Sequence, residues 1–176
     1  GAKTPLGSGL ATARHEHAAT LLPDGKVLIT GGRDAGGTVI TSAERFDPAT
    51  AQFSTVSDLG VLARAGHVTR MLPDGRLILI GGRAPDGSAR VEAEILDLKT
   101  GRVDGLGRVS GLDRSDPLVQ PLTNGDFVIS AGRDARGAAQ VSSLRYRWRT
   151  QDFVELTPAD LAALPWPEPR DRVPYV

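Results

Sequence analysis

The chain repeats itself with a period of 50 residues, three times and without a gap. Leu-Leu-Pro-Asp-Gly at 21–25 returns as Met-Leu-Pro-Asp-Gly at 71–75 and as Pro-Leu-Thr-Asn-Gly at 121–125. Arg14, Arg64 and Arg114 share one column, Gly32-Arg33, Gly82-Arg83 and Gly132-Arg133 another, and Thr50, Thr100 and Thr150 a third. A repeat unit cannot bury its apolar face alone and must stack on its neighbours, so the period fixes a quasi-linear or ring-like array before any single residue is weighed.

Each unit reads as four short strands. An apolar stretch over 17–22 runs into Pro23-Asp24-Gly25, where proline presets φ, aspartate bonds the backbone ahead of it and glycine accepts the left-handed conformation that closes a hairpin. The second strand follows at once. Val27-Leu28-Ile29, Leu77-Ile78-Leu79-Ile80 and Phe127-Val128-Ile129 are continuous apolar runs, the pattern of a strand covered on both faces. Gly31-Gly32 ends it. A third strand is expected from about Thr41 to Phe46 and a fourth from Gln52 to Val56, both more polar and joined through Asp47-Pro48-Ala49-Thr50. The fold class is therefore all-β: three four-stranded antiparallel blades of a β-propeller, with partial blades at both termini.

Apolar run, Gly-Gly, then two aromatic residues with six residues between them is the pattern of Gly31-Gly32, Phe46 and Phe53. In this the chain resembles the kelch repeat family. The second repeat departs from the pattern with Leu96 and Val103, and the third has Ala131-Gly132 with Tyr146 and Phe153. The resemblance covers roughly residues 14–160 and implies a kelch-type propeller, a fold that in many members binds peptides or proteins across one face. The copper-radical oxidases that contain kelch repeats need a tyrosine linked to cysteine. This sequence has no cysteine, which excludes that chemistry for the segment.

The expected boundaries are an outer strand of an incomplete blade over 1–13, blades over 14–63, 64–113 and 114–163, and a Pro-rich connection with the start of a further blade over 164–176. Thr4 to Arg14 overlays Ser54 to Arg64, and Arg170-Asp171-Arg172 resembles the entry Arg14-His15-Glu16. Propellers are typically built of four to eight blades, so three blades leave two flat apolar faces to be covered. The cover is expected from the remaining blades of a longer chain or from a second copy that completes a six-bladed ring. A helical turn is expected only over 157–164, where Thr157-Pro158-Ala159-Asp160 has the form of a capped start.

Lys plus Arg equals Asp plus Glu at 21 each, so no single-signed field points to nucleic acid or an anionic membrane surface. No apolar stretch reaches the length of a membrane-spanning helix. The preference for arginine over lysine hints at a bacterial source, with an extracytoplasmic or secreted location weakly favoured and no residue that fixes it.

If the four strands alternate in direction, the connections into the first strand and out of the second share one face of the disc. That face is expected to carry Arg14, His15, Glu16, Arg64 and Arg114 at the entries and Arg33, Arg83, Arg133 and Arg136 at the exits. These nine are the candidate ligand-binding residues. Guanidinium groups present planar forks of donors that suit carboxylates or phosphates. The competing reading is structural, in which the arginines pair with Asp34, Asp134, Glu44 or Glu94 and tie the blades together. The third repeat has Leu144 in the glutamate column, so glutamate cannot serve in all three. His15, His17 and His67 lack a further ligand constellation, and their structural reading is hydrogen bonding between blades; no metal, cofactor or catalytic residue is expected. Trp148 is placed at a strand turn and Trp166 in the Pro-rich connection. A non-enzymatic protein-binding or scaffolding module is the expected function, the alternative being part of a carbohydrate-binding or carbohydrate-active protein.

Overall fold

A computed structural model of the chain describes residues 9–56 and 59–167. It contains twelve strands: β1 (Ala18–Leu21), β2 (Val27–Thr30), β3 (Ala43–Asp47), β4 (Gln52–Val56), β5 (Val68–Met71), β6 (Leu77–Ile80), β7 (Glu92–Leu96), β8 (Val103–Arg108), β9 (Leu118–Pro121), β10 (Phe127–Ser130), β11 (Ser143–Arg147) and β12 (Asp152–Leu156). They form three four-stranded antiparallel sheets, β1-β2-β3-β4, β5-β6-β7-β8 and β9-β10-β11-β12, here blades 1, 2 and 3. One helix, α1 (Pro158–Ala162), follows blade 3; Thr157 and Asp160 bond each other reciprocally at its start. The third strand begins at Ala43 rather than Thr41, because the loop from Gly32 to Ser42 holds Arg33 and Val39 in isolated bridges. Of the expected outer strand over Thr4–Arg14, residues 9–14 are described and form no strand, while 4–8 lie outside the described residues, as does the entry at Arg170–Arg172.

The first hairpin of each blade closes as the sequence predicts. Leu22 N–H donates to Lys26 C=O at 2.8 Å and Asp24 Oδ1 accepts from Lys26 N–H at 3.1 Å; Leu72 with Arg76 and Leu122 with Asp126 repeat the first bond. Continuous apolar second strands are explained by stacking. In β6, Leu77 and Leu79 point to blade 1, joining Leu22, Leu28 and Ala43, while Ile78 and Ile80 point to blade 3, joining Phe127, Ile129 and Tyr146. A strand sandwiched in this way has no polar face. The two aromatic pairs lie across the third and fourth strands, Phe46 with Phe53 at 4.8 Å between centroids and Tyr146 with Phe153 at 5.0 Å. In blade 2 Leu96 and Val103 take their register positions, and Leu96 is fully buried against blade 1.

Neighbouring blades are joined by backbone as well as by side chains. Gly32 N–H donates to the Arg64 carbonyl at 3.0 Å, and Gly82 N–H to the Arg114 carbonyl at 2.9 Å. Nearer the axis, Gly66 N–H donates to Glu16 C=O at 2.8 Å and Asp116 N–H to Gly66 C=O at 2.7 Å. The glycine before each of the donors Gly32 and Gly82, Gly31 or Gly81, has φ of 57° or 67° and lies so near the next blade that a Cβ on Gly81 would fall 2.6 Å from the Arg114 oxygen. Contact and dihedral both demand glycine there.

Gly87, by contrast, has φ of 82° but open space where a Cβ would go. Gly81→Ala is therefore expected to cost at least about 3 kcal/mol, strain and clash together, against about 1 kcal/mol for Gly87→Ala. Urea unfolding of the two variants checks this, and equal losses would show that blades do not meet at Gly81.

Candidate functional site

The loops entering the first strand and leaving the second do share a face. His15 and Arg33 exchange backbone hydrogen bonds, at 3.0 and 2.8 Å, as do Ala65 with Arg83 and Ser115 with Arg133. Each post-glycine arginine is thus pinned by its own backbone beside the entry loop of its blade. The side chains then divide the nine candidates into two sets.

Arg14, Arg64 and Arg114 turn into the blades. Their side chains are completely or almost completely buried. Arg64 Nη1 donates to Gly81 C=O at 3.0 Å and to Glu92 C=O at 3.3 Å, Nε donates to Leu62 C=O, and Nη2 pairs with Glu94. Arg14 does the same toward Gly31, Ser42, Thr12 and Glu44, the ion pair measuring 2.7 Å. Arg114 bonds Ala131 C=O, Ser142 C=O and Gly111 C=O, and where the glutamate column holds Leu144 it takes the Ser142 hydroxyl at 2.7 Å. Each guanidinium therefore staples the entry loop to the end of the second strand and the start of the third. Burial pulls the Arg64 guanidinium below its ordinary pKa, opposed by Glu94; burial does the same to Arg114, whose nearest opposing charge is Asp113. Glu44 and Glu94 also accept from the entry-loop N–H groups of Ala11 and Leu62, so the carboxylate completes a closed network.

Arg33, Arg83 and Arg133 stay at the surface. Each donates Nη1 to the carbonyl of the glycine four residues on, Gly37, Gly87 or Gly137, which closes the exit loop. Beyond that they differ. Arg33 pairs with Glu16 at 3.1 Å, and Arg83 reaches Asp134 C=O in blade 3. Arg133 is exposed and has no carboxylate partner among the described residues. Arg136 is exposed beside it. Asp34 and Asp134, offered by the sequence as partners for these arginines, instead accept from their own loops: Asp34 Oδ1 from Gly36 and Thr38, Asp134 Oδ1 from Arg136 and Ala138. His15 and Glu16 are exposed at the same mouth.

His67 is 5 % exposed and meets the Thr30 hydroxyl of blade 1 at 3.0 Å, while His17, its counterpart in blade 1, is exposed. Desolvation, with Arg64 and His17 adding repulsion, lowers the His67 pKa to about 3. One network escaped the sequence reading. Asp126, buried in blade 3, accepts from Arg145 Nε at 2.8 Å and from Trp148 N–H at 3.1 Å, and the Trp148 ring N–H donates to Asn124 C=O at 3.0 Å. The departure of Thr-Asn-Gly-Asp from the Pro-Asp-Gly turn was its only signal. Trp148 sits at the turn between β11 and β12, and Trp166 Nε1 donates to Leu161 C=O.

Residues 14–60 match the family model of the Kelch motif. The fold is similar to the solved structure of YjhT, a kelch-type propeller, with a TM-score of 0.74 and 14 % identity over 88 % of this chain and 55 % of that one. The chain thus spans about half the length of YjhT. No curated protein matches it in sequence.

Two outcomes separate the arginine sets. Arg64→Ala strands Glu94 in the interior and is expected to cost at least about 3 kcal/mol, whereas Arg133→Ala is expected to stay within about 0.5 kcal/mol of the parent. Denaturant titration reads both. For His67 the folded pKa lies below the unfolded value of 6.5, so the unfolded chain takes up the proton first. Stability is then expected to fall as pH drops below about 6.5, by up to roughly 1.4 kcal/mol per pH unit before the carboxylates begin to titrate. His67→Gln should flatten the profile between pH 6.5 and 5; an unchanged slope would place the titrating group elsewhere.

Proposed function

We propose that this kelch-type propeller segment is a non-enzymatic protein-binding or scaffolding module, and that its loop-rich face takes an anionic segment of a protein partner. The observation that carries this reading is the state of Arg133. It is held at the mouth by its backbone bridge to Ser115 and by one side-chain bond to Gly137, with Nε and Nη2 turned to no carboxylate among the described residues. A guanidinium positioned by its own loop and left with donors to spare is prepared for a carboxylate at little entropic cost. Arg136 supplies a second positive charge on the same loop, and Arg83 borders them through its bond to Asp134 C=O. Arg33 contributes less, since Glu16 already neutralises it.

Arg14, Arg64 and Arg114 support this face from below by fixing the loops, and take no part in contacting the partner. Fold alone does not choose a function. What favours binding in this reading is that the arrangement supplies fixed donors at an exposed mouth. The outward flank of blade 1, where Leu21 is exposed, belongs in this reading to a different kind of partner, a further blade or a second copy.

Calorimetric titration with an Asp/Glu-rich peptide and with a Lys/Arg-rich peptide tests the proposal. The acidic peptide is expected to bind and to weaken as salt rises, the basic one not to bind, and Arg133→Ala/Arg136→Ala to lose at least about tenfold in affinity with an unchanged melting temperature. Equal binding of the parent and the double variant would overturn the assignment.

A further inference from the structure

Position 123 breaks the repeat. Pro23 and Pro73 open the first hairpin turn of blades 1 and 2, and Thr123 stands in their column in blade 3. Proline has no N–H to give. Thr123 has two donors and directs both at one acceptor, its N–H and its hydroxyl each meeting the Pro165 carbonyl at 3.1 Å. The turn itself is unaltered, since Gly125 N–H donates to Leu122 C=O at 3.0 Å as Gly25 N–H does to Leu22 C=O. The threonine thus serves what is fastened to the hairpin rather than the hairpin.

What is fastened is the segment that follows blade 3. The two earlier connections between blades keep to the end of the sheet where the fourth strand stops: Leu62 N–H donates to Glu94, Val109 N–H donates to Val91 C=O at 2.8 Å, and Leu59, Val61 and Val109 pack into the cores between blades. The segment after β12 takes another course. Helix α1 packs on β12, Trp166 Nε1 closes back on Leu161 C=O at 2.9 Å, and Pro165 reaches the hairpin turn at the other end of the sheet. On the way, Ala163 and Leu164 share a cleft with Arg145, Arg147 and Val154 of β11 and β12. Leu164 occupies the position where the 50-residue period would bring a fourth buried arginine.

The flank so crossed is the one a following blade would cover. Leu28 packs toward blade 2 and Ile78 toward blade 3, so Val128 in their column faces outward, as does Leu122 in the column of Leu22 and Leu72. Both are nevertheless buried, Leu122 at 5 % exposure and Val128 at 1 %, and the segment described on that flank is 157–166. Ser130 and Arg145, the latter paired with Asp126, stand where blade 2 carries Ile80 and Ile95. The apolar part of the flank is thereby confined toward the hairpin end, where the segment is fastened. We propose that residues 157–166 form a strap that caps blade 3 in place of a following blade, with Thr123 as its latch. While the latch holds, no further blade stacks on that flank. The inference is independent of what the loop-rich face binds.

Hydrogen exchange of the full chain and of Thr123→Pro tests it. The substitution installs the residue found at 23 and 73, so the hairpin is expected to fold, which slow exchange in β10 verifies, and it removes both donors to Pro165. A helix of one turn does not hold by itself in water, so protection of the Leu161 and Ala163 amides reports docking of the strap. Both are expected to exchange about tenfold or more faster in Thr123→Pro, and an apolar dye to bind more strongly as Leu122 and Val128 are bared. Thr123→Val removes only the hydroxyl and should give a smaller acceleration, while Thr123→Ser should match the parent. Equal strap exchange in Thr123→Pro and the parent, faster exchange with no gain in dye binding, or a Thr123→Ser strap as loose as that of Thr123→Pro would each overturn the proposal. If Thr123→Pro does not fold, Thr123→Val decides alone, and unchanged strap exchange in it overturns the latch.

Discussion

The architecture depends on one contact between adjacent blades: a strand-end glycine seated against the carbonyl of a buried arginine, with the N–H of the following glycine bonded to that same carbonyl. It sets the spacing of the blades at the axis, because backbone meets backbone with no side chain to adjust. It also explains why the arginine must be immobile. Were the Arg64 backbone free to shift, the Gly32 bond and the close approach at Gly31 would both be lost. The guanidinium therefore clamps its own entry loop with up to three carbonyl bonds, and a buried carboxylate or hydroxyl absorbs the remaining donors. Buried ion pairs contribute little net stability relative to apolar packing. Their value here lies in fixing a position that the neighbouring blade reads.

A consequence is that the loop-rich face is assembled on a stiff floor. Arg33, Arg83 and Arg133 emerge directly after the glycines, each anchored by backbone bridges to the entry loop, and their side chains vary in how far they are already used. The same repeat thus yields a neutralised arginine in blade 1, one tied across to blade 3 in blade 2, and an open one in blade 3. Repetition builds the scaffold, and deviation from it leaves the free donors on which the proposed binding face rests.

The sequence revealed the fold to a considerable depth. Its period located three blades, Pro-Asp-Gly located the first hairpins, the continuous runs at 27–29 and 77–80 marked the central strands, and Thr157-Pro158 marked the helix start. These are properties of short segments and of their recurrence, which is why they survive without coordinates. The division of labour between the two arginine columns was harder to read. Both occur once per repeat, both lie at loops on one face, and only the direction of the side chain distinguishes them. The glutamate column was a partial signal, since Glu44 and Glu94 do receive Arg14 and Arg64; Leu144 broke it, and the serine hydroxyl that replaces the carboxylate at Arg114 comes from a different position. Asp34 and Asp134 misled in the opposite way, because an aspartate that follows an arginine in sequence is better placed to bond its own loop than to pair with its neighbour.

Hydrogen exchange at the amides of Gly32 and Gly82 tests the account most directly, for these two protons are the bonds that join blade to blade. If the joints are as described, both exchange as slowly as the central amides of β2 and β6, and both speed up together when Arg64 or Arg114 is replaced by alanine. Rapid exchange at Gly32 and Gly82 in a chain whose β2 and β6 remain protected would show blades that fold but do not meet through this contact, and would contradict it.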